Sequence, residues 1–254
     1  MAKTPDPDPP AGLDLIWMRP ERERRPQPPL SREQIVRAAL DLADAEGIEA
    51  VSMRRIAAKL GSGATSLYWY LDRKDDLYEL MFDACIGEID LPEPGQDWRA
   101  ALRGNALQTR EMVRRHPWIP LIGIQPGLGP NTRRFGEHWA AAFLPLGVSM
   151  ERMTAILAAV NNYVFGFGHR EASWAQTIRR SGSTDAKWKQ DLQRYVEEVV
   201  NPQDPALGRQ IASRLDLTSD ENFEFGLDCL LDGLAARLGG APAGTAAEKA
   251  KPPA

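Results

Sequence analysis

The amino-acid sequence predicts an all-α protein: a three-helix N-terminal helix-turn-helix domain followed by a larger helical domain. Three observations predict it. Apolar residues recur at helical spacing through residues 31–238, capping signals stand ahead of them, and no run shows the alternation of a half-buried strand.

The elements follow in order. Residues 1–29 hold many of the 20 prolines and little periodic hydrophobicity, which predicts a flexible arm with a short docked piece at Leu13-Asp14-Leu15-Ile16-Trp17-Met18. Leu30-Ser31-Arg32-Glu33-Gln34-Ile35 is a capping box with Ser31 as N-cap, Gln34 at the third helical position, and Leu30 and Ile35 as a hydrophobic staple. That helix runs to Glu46 and stops at Gly47. Ser52 caps a short second helix ended by Gly61, a third covers 64–71, and a fourth follows Asp72 with Leu77, Leu80, Met81, Ala84 and Ile89 on its apolar face. Leu91-Pro92-Glu93-Pro94-Gly95 marks the domain junction. A helix then begins at Asp97 and ends by Pro117, and the Pro- and Gly-broken stretch 118–130 predicts short helical turns. Asn131 opens a helix through Phe143, and Ser149 starts a long one. A loose stretch at 181–186 precedes a helix around Trp188, Leu192 and Val196. Ser219 caps an apolar helix over 223–238, and residues 241–254 read as a disordered tail. The boundaries expected are an arm at 1–29, a DNA-binding domain at 30–90, an effector-binding and dimerisation domain at 97–240, and the tail.

Composition narrows the function classes. The 254 residues carry a net charge of −4, unevenly placed: residues 1–74 hold 12 Lys/Arg against 11 Asp/Glu, the remainder 19 against 24. An acidic total excludes a protein coated in basic charge, but not a small basic face. Arg54, Arg55, Lys59, Arg73 and Lys74 surround the sequence Thr65-Ser66-Leu67-Tyr68-Trp69-Tyr70-Leu71. Three consecutive aromatics on a helix point about 100° apart, so at least one faces outward. No signal peptide or membrane-length apolar run is present, and a cytoplasmic location is expected. Cys85 and Cys229 stand isolated in apolar patterns and read as buried, inert thiols. No phosphate loop, nucleophile elbow or metal-ligand spacing stands out, so neither an enzyme nor a resident cofactor or metal is expected.

The helix-turn-helix reading rests on spacing: small Ala57, Gly61 four residues on to make the turn, and Leu67 to lock the second helix. In that motif Ala64, Thr65 and Ser66 approach base edges in the major groove, Tyr68 and Lys74 reach phosphates, and Arg54 reaches a base edge or the backbone. Trp69 and Tyr70 divide between packing and the DNA surface. Arg55 and Lys59 read equally as a solvated helix face, and the arm's Arg19, Arg22, Arg24 and Arg25 as ordinary arm residues or phosphate contacts.

These residues resemble the tetracycline-repressor (TetR) family of bacterial transcription regulators. The resemblance is carried by 35–47, by Ser52-Met53-Arg54-Arg55-Ile56-Ala57-Ala58-Lys59-Leu60-Gly61, by Leu67-Tyr68-Trp69-Tyr70 and by Lys74-Asp75-Asp76-Leu77. It continues through Trp98, Asn105, Gln125-Pro126, 161–168 and Phe223-Glu224-Phe225-Gly226-Leu227, similar to the tetracycline-repressor branch itself. It implies a homodimer built on the last two long helices, a palindromic operator, and release from DNA when a small-molecule effector shifts the fourth helix. The apolar length of both helices supports the dimer independently.

The effector site expected is largely apolar: Asn105, Thr109, Met112, Trp118, Ile122, Phe135, Trp139, Asn161, Phe165 and Trp174. Each asparagine reads equally as a polar group satisfied inside the bundle, and the aromatics as core. Tetracycline-binding members hold magnesium partly through a histidine in the region matching 118–124. This sequence has none there; its histidines are His116, His138 and His169. His116, before Pro117, reads as compensating a helix dipole. The function expected is a ligand-responsive repressor; the rivals are a helical enzyme or ligand carrier acting on a hydrophobic molecule, and a structural interaction protein.

Overall fold

The computed structural model describes residues 16–18, 30–92, 97–122, 127–214 and 218–239. Ten α-helices and no strand occur among them. The expected C-terminal tail lies outside the described residues, as does the expected arm apart from 16–18. Contacts divide the chain into two compact units, Met1–Leu91 with Gln108–Ala142, and Pro92–Leu107 with Phe143–Ala254.

In the first unit, α1 (Arg32–Glu46) starts at the expected capping box: Gln34 N–H donates to Ser31 Oγ at 3.2 Å, and Ser31 N–H to Gln34 Oε1 at 2.8 Å. Ile35, Ala38, Ala39 and Leu42 form its buried face. Short α2 (Met53–Lys59) is capped by Ser52, whose Oγ accepts from Arg55 N–H. The chain then reverses at Gly61, whose φ of +65° is strained for any residue with a Cβ. Ser62 N–H returns to Ala57 O at 2.9 Å, and α3 (Ala64–Leu67) sets off across α2.

The third helix is shorter than expected. After Leu67 the hydrogen bonds shift to i→i−3 spacing at Trp69 and Tyr70, closing a turn over 68–70 in place of a continued helix. This tightening lets Leu67 and Leu71 bury together while Tyr70 reaches back to α1's entry, donating its hydroxyl to Leu30 O at 2.9 Å.

Helix α4 (Lys74–Ile86) begins where Asp76 Oδ2 accepts from the backbone N–H of Asp72 and Arg73, and it packs on α1. Besides Asp76, two further acids of this helix are buried with partners. Glu79 accepts from Trp17 Nε1 at 3.0 Å and from Leu128 N–H at 3.2 Å. The expected docked piece is therefore present at Ile16–Met18, with Ile16 buried. Asp83 receives the start of α6 (Pro130–Phe143), described below.

Helix α5 (Trp98–Arg115) starts at Asp97, whose carboxylate accepts from Arg99 N–H. His116 follows it directly, and the dipole reading is corrected: its ring lies between two carboxylates, Nδ1 at 2.8 Å from Asp44 and Nε2 at 3.2 Å from Glu88, while Arg114 and Arg115 occupy the helix's last turn.

The second unit is organised by α7 (Met150–Ser181), a 32-residue helix capped by Ser149. The loose stretch expected after it shrinks to a left-handed Gly182 and two residues before α8 (Asp185–Tyr195). A single π-turn over Val196–Val200 leads to α9 (Pro205–Arg214), which sequence reading did not anticipate. Helix α10 (Asp220–Gly239) packs on α7 through Phe223, Leu227 and Leu231. Tyr163 fixes the pairing: its hydroxyl donates to Phe223 O at 2.8 Å, and its ring leaves no room for a Cβ at Gly226. Phe223 is fully buried between Tyr163 and Phe167, with ring centroids at 5.4 and 5.1 Å. Cys229 is exposed, which corrects the expectation of two buried thiols; Cys85 is buried.

Candidate DNA interface and effector residues

The first unit presents one continuous polar surface around α3. Thr65 and Ser66 are exposed on the helix, Ala64 is half-buried at its start, and Tyr68 and Trp69 are 51% and 40% exposed on the turn that follows. Leu67, fully buried, fixes which way this edge faces. Beside it lies an open cleft of about 490 Å³, floored by the start of α2 at Ser52 and Met53 and walled by Arg54, Tyr68, Arg73 and Lys74. Asp72 is the negative group on its rim.

Neighbouring cations differ in what already holds them. Arg55 is paired with Glu46 at 2.5 Å and Lys59 with Asp41 at 2.8 Å, exposed ties between α2 and α1. The charge-assisted bond raises the Arg55 pKa and lowers that of Glu46. Arg54 is exposed and lines the cleft. Lys74 rests over the Tyr78 ring at 5.1 Å, which steadies its stem at the cleft's edge. A concavity with two or three cations, a phenol and the first turn of a helix suits a phosphate oxygen, and the adjacent hydroxyls of Thr65 and Ser66 suit base edges. Tyr70 is half-buried and donates its hydroxyl to Leu30 O, which favours the packing side of its divided reading.

The expected effector residues fall into both units. In the first, Thr109 and Met112 are buried, and Thr109 Oγ1 has no hydrogen-bond partner among the described residues. Ile122 and Phe135 are half-buried, and Phe135 meets fully buried Trp139 edge-on at 6.2 Å. His138 stands edge-on to Trp139, and burial lowers its pKa. Trp118 is buried; its Nε1–H donates to Asp44 at 2.7 Å and its ring packs against His116.

In the second unit, Asn105 is 1% exposed with neither carboxamide atom bonded among the described residues. A buried carboxamide without partners costs several kcal/mol unless something supplies them. Asn161 and Phe165 are half-buried on α7. Trp174 is tied to α8. Its Nε1–H donates to Asp185 at 2.6 Å, lowering that carboxyl's pKa, and its ring meets Trp188 at 5.0 Å, joining α7 to α8.

Comparison with known proteins decides the family. Residues 35–81 match the model of bacterial regulatory proteins of the tetR family, and residues 91–238 match the tetracyclin repressor-like C-terminal domain. The chain belongs to the TetR family. It is 34% identical over 227 residues to the HTH-type transcriptional repressor DrrR1 of Streptomyces coeruleorubidus, covering 87% of this chain and 84% of that protein. It is 30% identical over 225 residues to the HTH-type transcriptional repressor Rv1353c of Mycobacterium tuberculosis, covering 84% and 83%. Among solved structures, the TetR-family protein ActR of Streptomyces coelicolor in complex with actinorhodin superposes with a TM-score of 0.71 at 29% identity, over 85% of this chain and 100% of ActR. This TetR-family chain is a ligand-responsive DNA-binding transcriptional regulator. Among its described residues no helix is long and apolar enough to cross a membrane.

Sequence reading missed the acids that organise the first unit: Asp44, Glu79, Asp83 and Glu88 are scattered in the chain and carry no local motif. Their signal was the acid at a core-facing position of α4, as at Glu79 and Asp83, where a lone charge needs a partner.

Proposed function

We propose that residues 30–90 bind a palindromic operator as one half of a homodimer, that residues 97–240 dimerise and hold a largely apolar effector, and that effector binding releases the DNA. The single observation that carries this is the exposed Thr65–Ser66 edge set beside the cationic cleft of Arg54, Tyr68 and Lys74. The repressors among its relatives support the direction of regulation, and the actinorhodin complex of ActR supports a small-molecule effector. Release requires that the effector bind the DNA-incompetent arrangement more tightly than the competent one.

Selection of genomic fragments with the purified dimer tests the reading and returns the operator. Recovery of a two-fold sequence is expected; uniform recovery without a symmetric motif would overturn it. On that operator, Lys74→Ala is expected to weaken binding about tenfold and to lower the slope of log K against log salt by about 0.9 per protomer, or about 2 for the dimer. An unchanged slope would remove Lys74 from the phosphate contacts.

Asn105 in the second unit and Thr109 in the first each carry polar side-chain atoms buried without a partner among the described residues, and we assign Asn105 to effector recognition. Asn105→Ala is expected to leave operator affinity within about twofold while weakening effector-driven release by about tenfold or more, the effect of one buried hydrogen-bonding side chain of about 1.4 kcal/mol or above. A gel-shift titration with the effector reads both numbers, and equal release in the two proteins would exclude Asn105.

A further inference from the structure

We propose that Cys85, Glu88 and His116 form a binding site for a thiophilic divalent cation, zinc by their donor set, at the end of α4. One ligand atom from each residue, the Cys85 Sγ, a Glu88 carboxylate oxygen and a His116 ring nitrogen, lies within 4.8 Å of the others, and it is Nε2 that stands 3.2 Å from Glu88. Cys85 closes the last turn of α4 and Glu88 follows one turn later, its N–H bonded to Cys85 O at 3.0 Å, so the two side chains project to the same side. His116 enters from the residue after α5.

The histidine's hydrogen bonds make the case. Nδ1 lies 2.8 Å from Asp44 Oδ1, an acceptor that is itself fixed by the indole N–H of Trp118. A carboxylate on Nδ1 holds the tautomer in which Nε2 is bare, the arrangement that orients metal-binding histidines. Yet bare Nε2 faces both oxygens of Glu88 at 3.2 Å, lone pair against negative charge. A metal ion between them would take both the ring nitrogen and a carboxylate oxygen as ligands. The buried thiol beside them favours the ion. Cys85 supplies a third donor atom beside the two others, and the carboxylates of Glu88 and Asp44 attract a divalent cation, which on binding would expel the thiol proton to solvent.

Sulfur, imidazole nitrogen and carboxylate oxygen match the preferences of zinc, with bonds of about 2.3, 2.0 and 2.1 Å and a fourth position left to water. Ligand atoms around such an ion stand about 3.3–3.8 Å apart, so closure asks for side-chain movements of about 1 Å. Of the other groups facing this point, Arg115 is paired with Glu88 at 3.1 Å and would keep one of its oxygens engaged. An ion here ties the end of α4 to α1 through Asp44 and to the chain after α5, all within the first unit.

The test uses the full-length, tag-free protein carrying Cys229→Ser, so that Cys85 is the sole thiol. Titration with cobalt(II) alone is expected to give one ion per chain and a thiolate-to-cobalt charge-transfer band, displaced by zinc. Zinc is expected to raise the melting temperature. Cys85→Ala should abolish the band, and Glu88→Gln, a half-exposed position that leaves the core intact, should weaken cobalt binding by about tenfold or more. Absence of stoichiometric cobalt binding at about 100 µM, or a zinc-induced melting shift that persists unchanged in Glu88→Gln and Cys85→Ala, overturns the site and leaves His116 as a proton-bearing bridge between carboxylates.

Discussion

Phe225→Glu is expected to turn the dimer into a monomer and to weaken operator binding by at least about 100-fold. On α10 the inward side chains are Phe223, which meets Tyr163 and Phe167 of α7, and Leu227 and Leu231, all buried. Offset from them runs a second stripe, Phe225, Cys229, Gly233 and Ala236, every member exposed, with Phe225 71% exposed. On α7 the outward face at Ala155, Ala158, Asn162 and Gly166 is made of small residues, which let another helix approach closely. A helix with apolar groups on both of two faces has more to bury than its own unit covers.

A two-fold interface uses the same patch twice. Burying one phenylalanine contributes about 1.5–3 kcal/mol, so removing both copies costs about 3–6 kcal/mol, or roughly a 100- to 10,000-fold change in the dimer constant before the repulsion of two carboxylates is added. Sedimentation equilibrium reads the dimer constant, and a gel shift on the selected operator reads the affinity. Because the side chain lies outside the unit's core, the monomer should keep its helical circular dichroism. A variant that remains dimeric at micromolar concentration would move the interface away from α10.

The helix-turn-helix was legible because its determinants are local. Ser31 with Gln34, Gly47, Ser52, Gly61 and Leu67 each act within a few residues of where they stand, and each sets a helix end or locks the turn as its type requires. The aromatics after Leu67 were only half legible. Periodicity alone showed that three consecutive rings could not share one core, but which ring turned inward depended on Leu30, 40 residues away in sequence, offering Tyr70 a carbonyl. The same limit governs the candidate effector residues. Trp118 and Trp174 look like pocket walls by composition and turn out to be fastened by Asp44 and Asp185, acids that no spacing connects to them. Helix α9 escaped notice because its apolar residues are few and Leu207 is exposed; it is held by packing against the π-turn, with Gly208 pressed on Asn201. Such elements are fixed by tertiary contact, which overrides weak propensity.

Asp83→Ala is expected to lower the melting temperature by about 5–15 °C, the second large effect, through the start of α6. The first amides of a helix have no partner within it. In α6 they find one on α4: Asp83 Oδ1 accepts from Thr132 N–H and Oγ1–H, both at 2.9 Å, and Oδ2 from Asn131 N–H at 3.3 Å and Nδ2–H at 3.1 Å. The carboxylate is 3% exposed, and Gly129 packs on it so tightly that a Cβ there would collide with it. Removing it strands two backbone donors and a hydroxyl beside a cavity that is too tight to rehydrate freely, at a cost of about 2–4 kcal/mol. Asp83→Asn keeps the shape and one acceptor but turns an amide toward the same donors, so an intermediate loss is expected. Hydrogen exchange separates this cause from general weakening: amides at 131 and 132 should exchange faster in Asp83→Ala at a temperature where those of α1 remain protected. Unchanged protection at 131–132, or a melting temperature within about 1 °C of the parent, would show that α6 holds its start without α4. Helix α4 carries Lys74 at one end and grips α6 near the other, so a single helix joins the start of α6 to the cleft beside α3.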